Sequence, residues 1–490
     1  MQGSNQKCNL FQSVFGIFLH SCKTPQKVVQ ALARIGISIS VESIDGAIQS
    51  LSHETHATLQ QMGKSLLISY VYDNFDIDFK TNLPMVERSG TTLEHLTAGT
   101  LVKLEHGVTS EHLKCSDELW ARSPLNPSVN VRLLASSRTI WDFLTLHPEN
   151  PHPSGLTRQQ MFHSWIFYRD LCIYGPEFFR EYQSSIKLPD AVESIPVVKM
   201  RHAPAKAMDI NQSKVSGNIQ AIEELMRQGG IGDPTVDDGT PWESTLVDVR
   251  EHVTLFHGDL GTAERVQSLL ECRSLENTNI NRFQPIVYVF GLFHFKMAAA
   301  DALWRILIEP KESREDPNCI MQFLAQHRPR ETGRIGSKPG FRRMHEVINH
   351  EGTALRLDTW RTELMKRNPA WKSLELFAQS RPSEETLRSM ADHLALYYVA
   401  GASADVDVYQ LRQYPKHQRD QQRENMLLVH KYLLLYEETS HAMNHGDIGR
   451  LETLFVPWIP IFQSTGKHKY ATYLVKFLND VHWNYPKDLR

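Results

Sequence analysis

The sequence predicts an α/β core with large helical insertions and a mostly α-helical C-terminal region. Three observations carry that expectation. An apolar run from Leu66 to Tyr72 (LLISYVY, interrupted only by Ser69) reads as a buried strand and leads into Asp73, Asp76 and Asp78. Further along, strand-like and helix-like segments alternate: HVTLFHGD, GTAERVQSLLECR, PIVYVFG, HFKMAAADALWRILI. From about residue 311 the pattern is almost entirely helical.

Taken in order, TPQKVVQALARIG opens at Thr24-Pro25 and stops at Gly36, so it reads as a helix, and a second follows from Val41 to Gln61. The first strand is Leu66 to Asp73, and Thr97 to His106 is the second strand candidate. Residues 107–194 are rich in proline and aromatics and read as an insertion. Ile195 to Met200 (IPVVKM) reads as a third strand, followed by the helix SKVSGNIQAIEELMRQGG with its two-glycine stop. The alternating tail then implies parallel strands with helices on their faces. Three regions are expected: helical 1–62, the α/β core 63–310, and helical 311–490.

Composition narrows the function. Lys and Arg number 53 against 56 Asp and Glu, net −3, so no global field favours nucleic acid and any such binding needs a local patch. Six scattered cysteines without a CxxC pair argue against a zinc ribbon or a disulfide framework and for a reducing compartment. No run approaches the roughly 20 apolar residues of a membrane span, and a soluble intracellular protein is expected. Gly63-Lys64-Ser65 lacks the first glycine of a phosphate loop and precedes a strand. The histidines of HEVINH stand about 140° apart around a helix and do not suit one metal.

The order strand, strand, strand, helix, strand, helix, strand, helix is that of the RNase H-like fold, a mixed sheet in which the first strand and a later one each supply an acid. Ligands of such sheets sit beyond the carboxyl ends of strands, where Asp73 and Asp259 fall. Paired carboxylates suit Mg²⁺ or Mn²⁺, and Asp76 is a candidate third oxygen donor. The alternative is local: Asp73 starts a turn with Asn74, and Asp259 caps the helix after it.

YDNFDIDF, HGDLGTAERVQSLL, GLFHFKMAAADALWRI, RPRETGRIGSKPGFRRMHEVI and AMNHGDIGRLETLFVPWIPIFQSTGKHKYA together resemble an uncharacterised domain family abundant in mushroom-forming fungi. Its divergent animal relatives keep a GD strand, an FH strand and a GD-x-x-R…KYA helical pair. The resemblance runs from about residue 10 to the end and implies a transposon association. A second similarity is to Mutator-like and hAT-like transposases, which carry an acid on the first strand, a second on the fourth, and a Cys-or-Asp, two residues, His motif at the fifth. Asp73 and Asp259 match the acids and His294 the histidine, while Gly291 departs at the Cys-or-Asp position. For the third acid, Asp447 is the choice, although Gly446-Asp447 also reads as a helix stop and cap. Asp301, Glu437, Glu438 and Glu452 are the other candidates, and the resembled family continues past Arg490.

For a binding surface, residues 328–343 offer Arg328, Arg330, Arg334, Lys338, Arg342 and Arg343 against Glu331, with glycines at 333, 336 and 340 suggesting a loop. Arginine forks there suit phosphate contact; a solvated loop is the plain alternative. Two functions follow. One is a transposase-like or nuclease-like protein acting on DNA through a divalent-metal carboxylate site, which would place it in the nucleus. The other is a catalytically inactive, transposon-derived DNA-binding or protein-interaction protein.

Overall fold

The computed structural model describes residues 9–78, 93–129, 138–235, 246–311, 314 and 319–490. The chain divides into two compact units. The first joins Met1–Leu134, Val198–Phe290 and Tyr485–Arg490; the second joins Ala135–Val197 and Gly291–Asn484. This division differs from the three consecutive regions expected. The N-terminal helices stay with the sheet, and the 107–194 stretch is shared, its first part going with the sheet and its last with the helices. No described helix is long and apolar enough to cross a membrane.

The first unit holds every described strand. In chain order these are β1 (Ile68–Asp78), β2 (Leu93–Lys103), β3 (His202–Pro204), β4 (Ile231–Gly232), β5 (Val247–Asp248), β6 (Thr254–Gly258) and β7 (Ile286–Phe290). Five of them form a sheet ordered β3-β2-β1-β6-β7, and β4 pairs with β5 separately. The pairs β1/β2 and β2/β3 are antiparallel, while β1/β6 and β6/β7 are parallel. The strand–helix alternation explains the parallel half: the helix Leu260–Arg273 carries the chain from β6 back to β7.

Alternation along the strands sorts side chains between the two faces of this sheet. Tyr70 and Tyr72 share a face with Leu101 and Phe256, and Tyr70 stacks on Phe256 at 4.8 Å between centroids. Ala221, Ile222 and Leu225 of the helix Val215–Gln228 and Val266 and Leu269 of Leu260–Arg273 cover that face. The opposite face carries a smaller cluster, with Leu67, Leu255, Val287 and Val289 against Leu113, Leu119, Tyr485 and Leu489.

The third strand is not IPVVKM. Ile195 and Val197 are exposed, Val197 by 81%, and β3 lies at His202–Pro204, where Ala203 pairs with the buried Leu101. Apolar content marked the wrong segment because those side chains lie on the surface. The first strand, in turn, is longer than its apolar run. Beyond Val71 it loses its β6 partner but continues against β2, from Tyr72↔Gly99 to Asp78↔Leu93. A strand built for a dry core therefore ends in acids because its outer half leaves the core as one arm of a two-stranded ribbon. No turn forms at Asp73-Asn74.

The second unit is helical. Its core sets Phe162, Ile166, Phe167 and Leu171 of the helix Arg158–Tyr174 against Trp360, Leu364, Leu387, Leu394 and Leu434. Thr157 starts that helix with a capping box, accepting from Gln160 N at 3.2 Å while Gln160 Oε1 accepts from Thr157 N at 2.7 Å. Within this apolar bundle lie two ion-pair networks. Arg356 donates from Nε to Asp170 at 2.7 Å and grips both Glu437 oxygens at 2.9 and 2.8 Å. Arg450 donates to Asp447 at 3.0 Å and to Glu438 at 2.8 Å.

Candidate functional site

The two candidate acids of the sheet unit both follow the parallel β1–β6 pairing. Ser69, Tyr70 and Val71 on β1 pair with Leu255, Phe256 and His257 on β6. That pairing ends at Val71↔His257, and an aspartate follows two residues later on each side: Asp73, still within β1, and Asp259, just past the carboxyl end of β6. Asp73 is exposed, and its Oδ1 accepts from Asn74 N at 2.8 Å. Asp259 is the N-cap of Leu260–Arg273, its Oδ1 accepting from Thr262 N at 2.6 Å. Its charge also acts on the Tyr72 phenol, whose pKa burial already raises and Asp259 raises further, while Tyr72 Oη donates to Asn218 at 3.1 Å. The cap read from Gly258-Asp259 is therefore present, and it leaves Asp259 Oδ2 without a hydrogen-bond partner among the described residues.

Asp76 does not join them. Three positions apart on a strand of unbroken register, Asp73 and Asp76 point to opposite faces, because side chains alternate. Asp76 instead pairs with His95, its register partner on β2, at 2.8 Å. His257, which the sequence reading passed over, shares the Asp73 face, and burial lowers its pKa. A groove of about 900 Å³ in this unit lies elsewhere, lined by Leu59, Met208, Glu223 and Arg227 among others, and Asp73, Asp76 and Asp259 are not among its lining residues.

Asp447 is committed to structure. It is buried and caps the helix Ile448–Ser464. Its carboxylate accepts from Val192 N and Glu193 N at 3.1 Å, from Arg450 N at 3.2 Å and from Arg450 Nε at 3.0 Å. Burial alone would raise its pKa, but these donors hold it below the ordinary range. Gly446, at φ 66°, ends the preceding helix. The other candidate acids of this unit are also engaged: Asp301 with Arg305 and Lys467, Glu437 with Arg356, Glu438 with Arg450, and Glu452 with two histidines. His294 is half-buried in the first turn of the helix Leu292–Leu307 of this unit, its ring edge-on to Phe293.

The basic segment is not a loop. Thr332–Ser337 is a short helix, and Gly340 opens the helix Gly340–Arg367. Arg328 pairs with Glu331 and Glu346, Arg342 with Glu346, and Arg343 with Glu331. Glu346 lies just past residues 328–343, so the charge balance of that stretch alone hides its neutralising effect. Arg330, Arg334 and Lys338 remain exposed with no acidic partner among the described residues.

One set of three potential metal ligands occurs among the described residues with ligand atoms within 4.8 Å of one another: His147, Glu452 and His482. Local spacing gave no signal for it, because the three residues are far apart in sequence and meet only through the packing of the helical unit.

These geometries define a protein with a mixed α/β unit and a helical unit rich in buried ion pairs. The chain belongs to the family of unknown function DUF6589, whose model matches residues 139–490. Asp259, His294, Asp447 and residues 328–343 lie inside that span; Asp73 and Asp76 lie before it. Comparison with curated proteins and with solved structures returned no match.

Proposed function

We propose that the sheet unit is an RNase H-like core of transposase-like or nuclease-like type, acting on DNA through a divalent metal, Mg²⁺ or Mn²⁺, held by Asp73 and Asp259. The observation that carries this reading is the register. Three antiparallel strands are continued by two parallel ones; Asp259 follows the carboxyl end of β6, and Asp73 lies on β1 two residues beyond its last pair with β6. That is the position where open α/β sheets bind ligands. Hard carboxylate oxygens suit both metals, and Asp259 keeps one oxygen for the cap and one for a ligand. When bound, such a metal lowers the pKa of a coordinated water and stabilises charge on the phosphate oxygens. The chain's own part is to fix the two carboxylates, Asp73 through its strand and Asp259 through its cap. In the helical unit, Arg330, Arg334 and Lys338 are exposed and are candidates of their own for DNA phosphates.

The second reading, a catalytically inactive transposon-derived protein, draws on the engagement of Asp76 and Asp447 by structural partners. Cleavage assays separate the two. Wild type should nick supercoiled DNA in Mg²⁺ or Mn²⁺, and Asp73→Asn should abolish it. Binding of DNA with no nicking in either metal would favour the inactive form.

A further inference from the structure

His147, Glu452 and His482 are brought together by three separate pieces of the helical unit. His147 follows the short helix Ile140–Leu144, Glu452 lies in the second turn of Ile448–Ser464, and His482 sits in the π-helical turn Asp480–Asn484. His147 Nε2 and His482 Nε2 both meet Glu452 Oε2, at 2.6 and 2.8 Å. The three side chains are 8%, 6% and 4% exposed in the order His147, Glu452, His482. The two imidazoles stand edge to face at 5.9 Å.

The arrangement is held from behind. Trp483 packs on Phe143 at 5.7 Å, and the Arg138 guanidinium lies 5.0 Å over its ring, so the segment before His147 is fastened to the turn bearing His482. Glu193 Oε2 lies 3.9 Å from His147 Nδ1, a carboxylate behind the ring nitrogen that does not face Glu452. Metal-bound histidines characteristically donate that second N–H to a carboxylate; Glu193 is an ion-pair neighbour there, beyond hydrogen-bond reach at 3.9 Å.

We propose that His147, Glu452 and His482 bind a transition-metal dication, with Zn²⁺ the best chemical match. Two imidazole nitrogens and one carboxylate oxygen form a zinc donor set that leaves one position open. Tetrahedral zinc at about 2.0–2.1 Å from each ligand separates ligand atoms by about 3.3 Å. The present 2.6 and 2.8 Å separations reach that by side-chain shifts of about half an ångström. Nitrogen donors disfavour Mg²⁺, so this site differs in chemistry from the acid pair.

The test is equilibrium dialysis of the full chain against Zn²⁺ with metal analysis, repeated with Co²⁺ for its visible absorption. The expected result is one tightly bound equivalent and a tetrahedral Co²⁺ spectrum. Glu452→Gln keeps an oxygen to accept the histidine N–H groups but removes the charge, so it should retain the fold and lose at least about 10-fold in affinity. His482→Ala should lose as much. Wild type that takes up no stoichiometric Zn²⁺, or Glu452→Gln that binds like wild type, overturns the proposal. Should the variants fail to fold, the wild-type Co²⁺ spectrum decides, and an octahedral or absent signal overturns it.

Discussion

Val71 on β1 and His257 on β6 are register partners in a parallel pair, and each is followed two residues later by an aspartate. The same parallel pairing thus precedes Asp73 and Asp259, across a long sequence separation. Asp73 is placed by its strand and Asp259 by the end of β6 and its helix cap, and a one-residue slip of β1 would turn Tyr70 and Tyr72 out of the core.

Asp447→Ala should unfold the helical unit rather than switch off chemistry. It removes a helix cap and leaves Arg450, 2% exposed, with Glu438 as its one remaining acid. Losing charged hydrogen bonds in a buried site costs about 3 kcal/mol or more. Chemical denaturation measures it; a variant of unchanged stability that had lost DNA cleavage would restore Asp447 as a catalytic acid.

The Arg356–Glu437 pair gives a second stability prediction. Glu437→Leu leaves Arg356 buried with Asp170, itself also bonded to Arg169. Breaking such a pair from one side costs about 3–5 kcal/mol. A shift in denaturation midpoint smaller than 1 kcal/mol equivalent would show the network to be dispensable.

Glu438 makes stability depend on pH. Burial pushes its pKa up to about 7, against the pull of Arg450, which it shares with Asp447. A carboxyl whose folded pKa is raised contributes its full stability below the unfolded value near 4.5, and that contribution is lost as pH rises through about 7. The stability of wild type relative to Glu438→Gln should therefore fall between pH 5 and pH 8, by up to about 3 kcal/mol. A difference independent of pH would contradict the raised pKa.

DNA binding should depend on the cations of the basic segment that have no acidic partner among the described residues. Replacing Arg330, Arg334 and Lys338 with Ala should flatten the dependence of log affinity on log salt by about three units if each neutralises one phosphate. Arg342→Ala with Arg343→Ala should do less, since Glu346 and Glu331 already hold both side chains. Gel shifts across salt concentrations decide. Equal slopes for wild type and the triple variant would make the segment ordinary surface.

The sequence made part of this legible. The apolar run at Leu66–Tyr72 and the alternation after residue 252 located β1, β6 and β7, because buried strands must be apolar. IPVVKM misled for the same reason in reverse, since apolar content cannot tell an exposed extended segment from a strand. Nearness in sequence makes Asp76 resemble a third ligand and hides the alternation that turns it away from Asp73. The caps at Asp259 and Asp447 were legible from Gly-Asp before a helix, but the four donors on Asp447 were not, since Val192 and Glu193 arrive from a distant stretch. His147, Glu452 and His482 could not have been grouped from spacing at all.

Whether Asp73 and Asp259 hold one cation between them is tested most directly by Mn²⁺ binding followed through its electron paramagnetic signal. Asp259→Asn is the decisive variant, because asparagine caps a helix about as well as aspartate and the fold is kept. Wild type should bind Mn²⁺ in competition with Mg²⁺, and Asp73→Asn and Asp259→Asn should each weaken binding at least about 10-fold with melting temperature unchanged. Wild type that leaves the Mn²⁺ signal unaltered, or either variant binding as wild type does, would contradict the account.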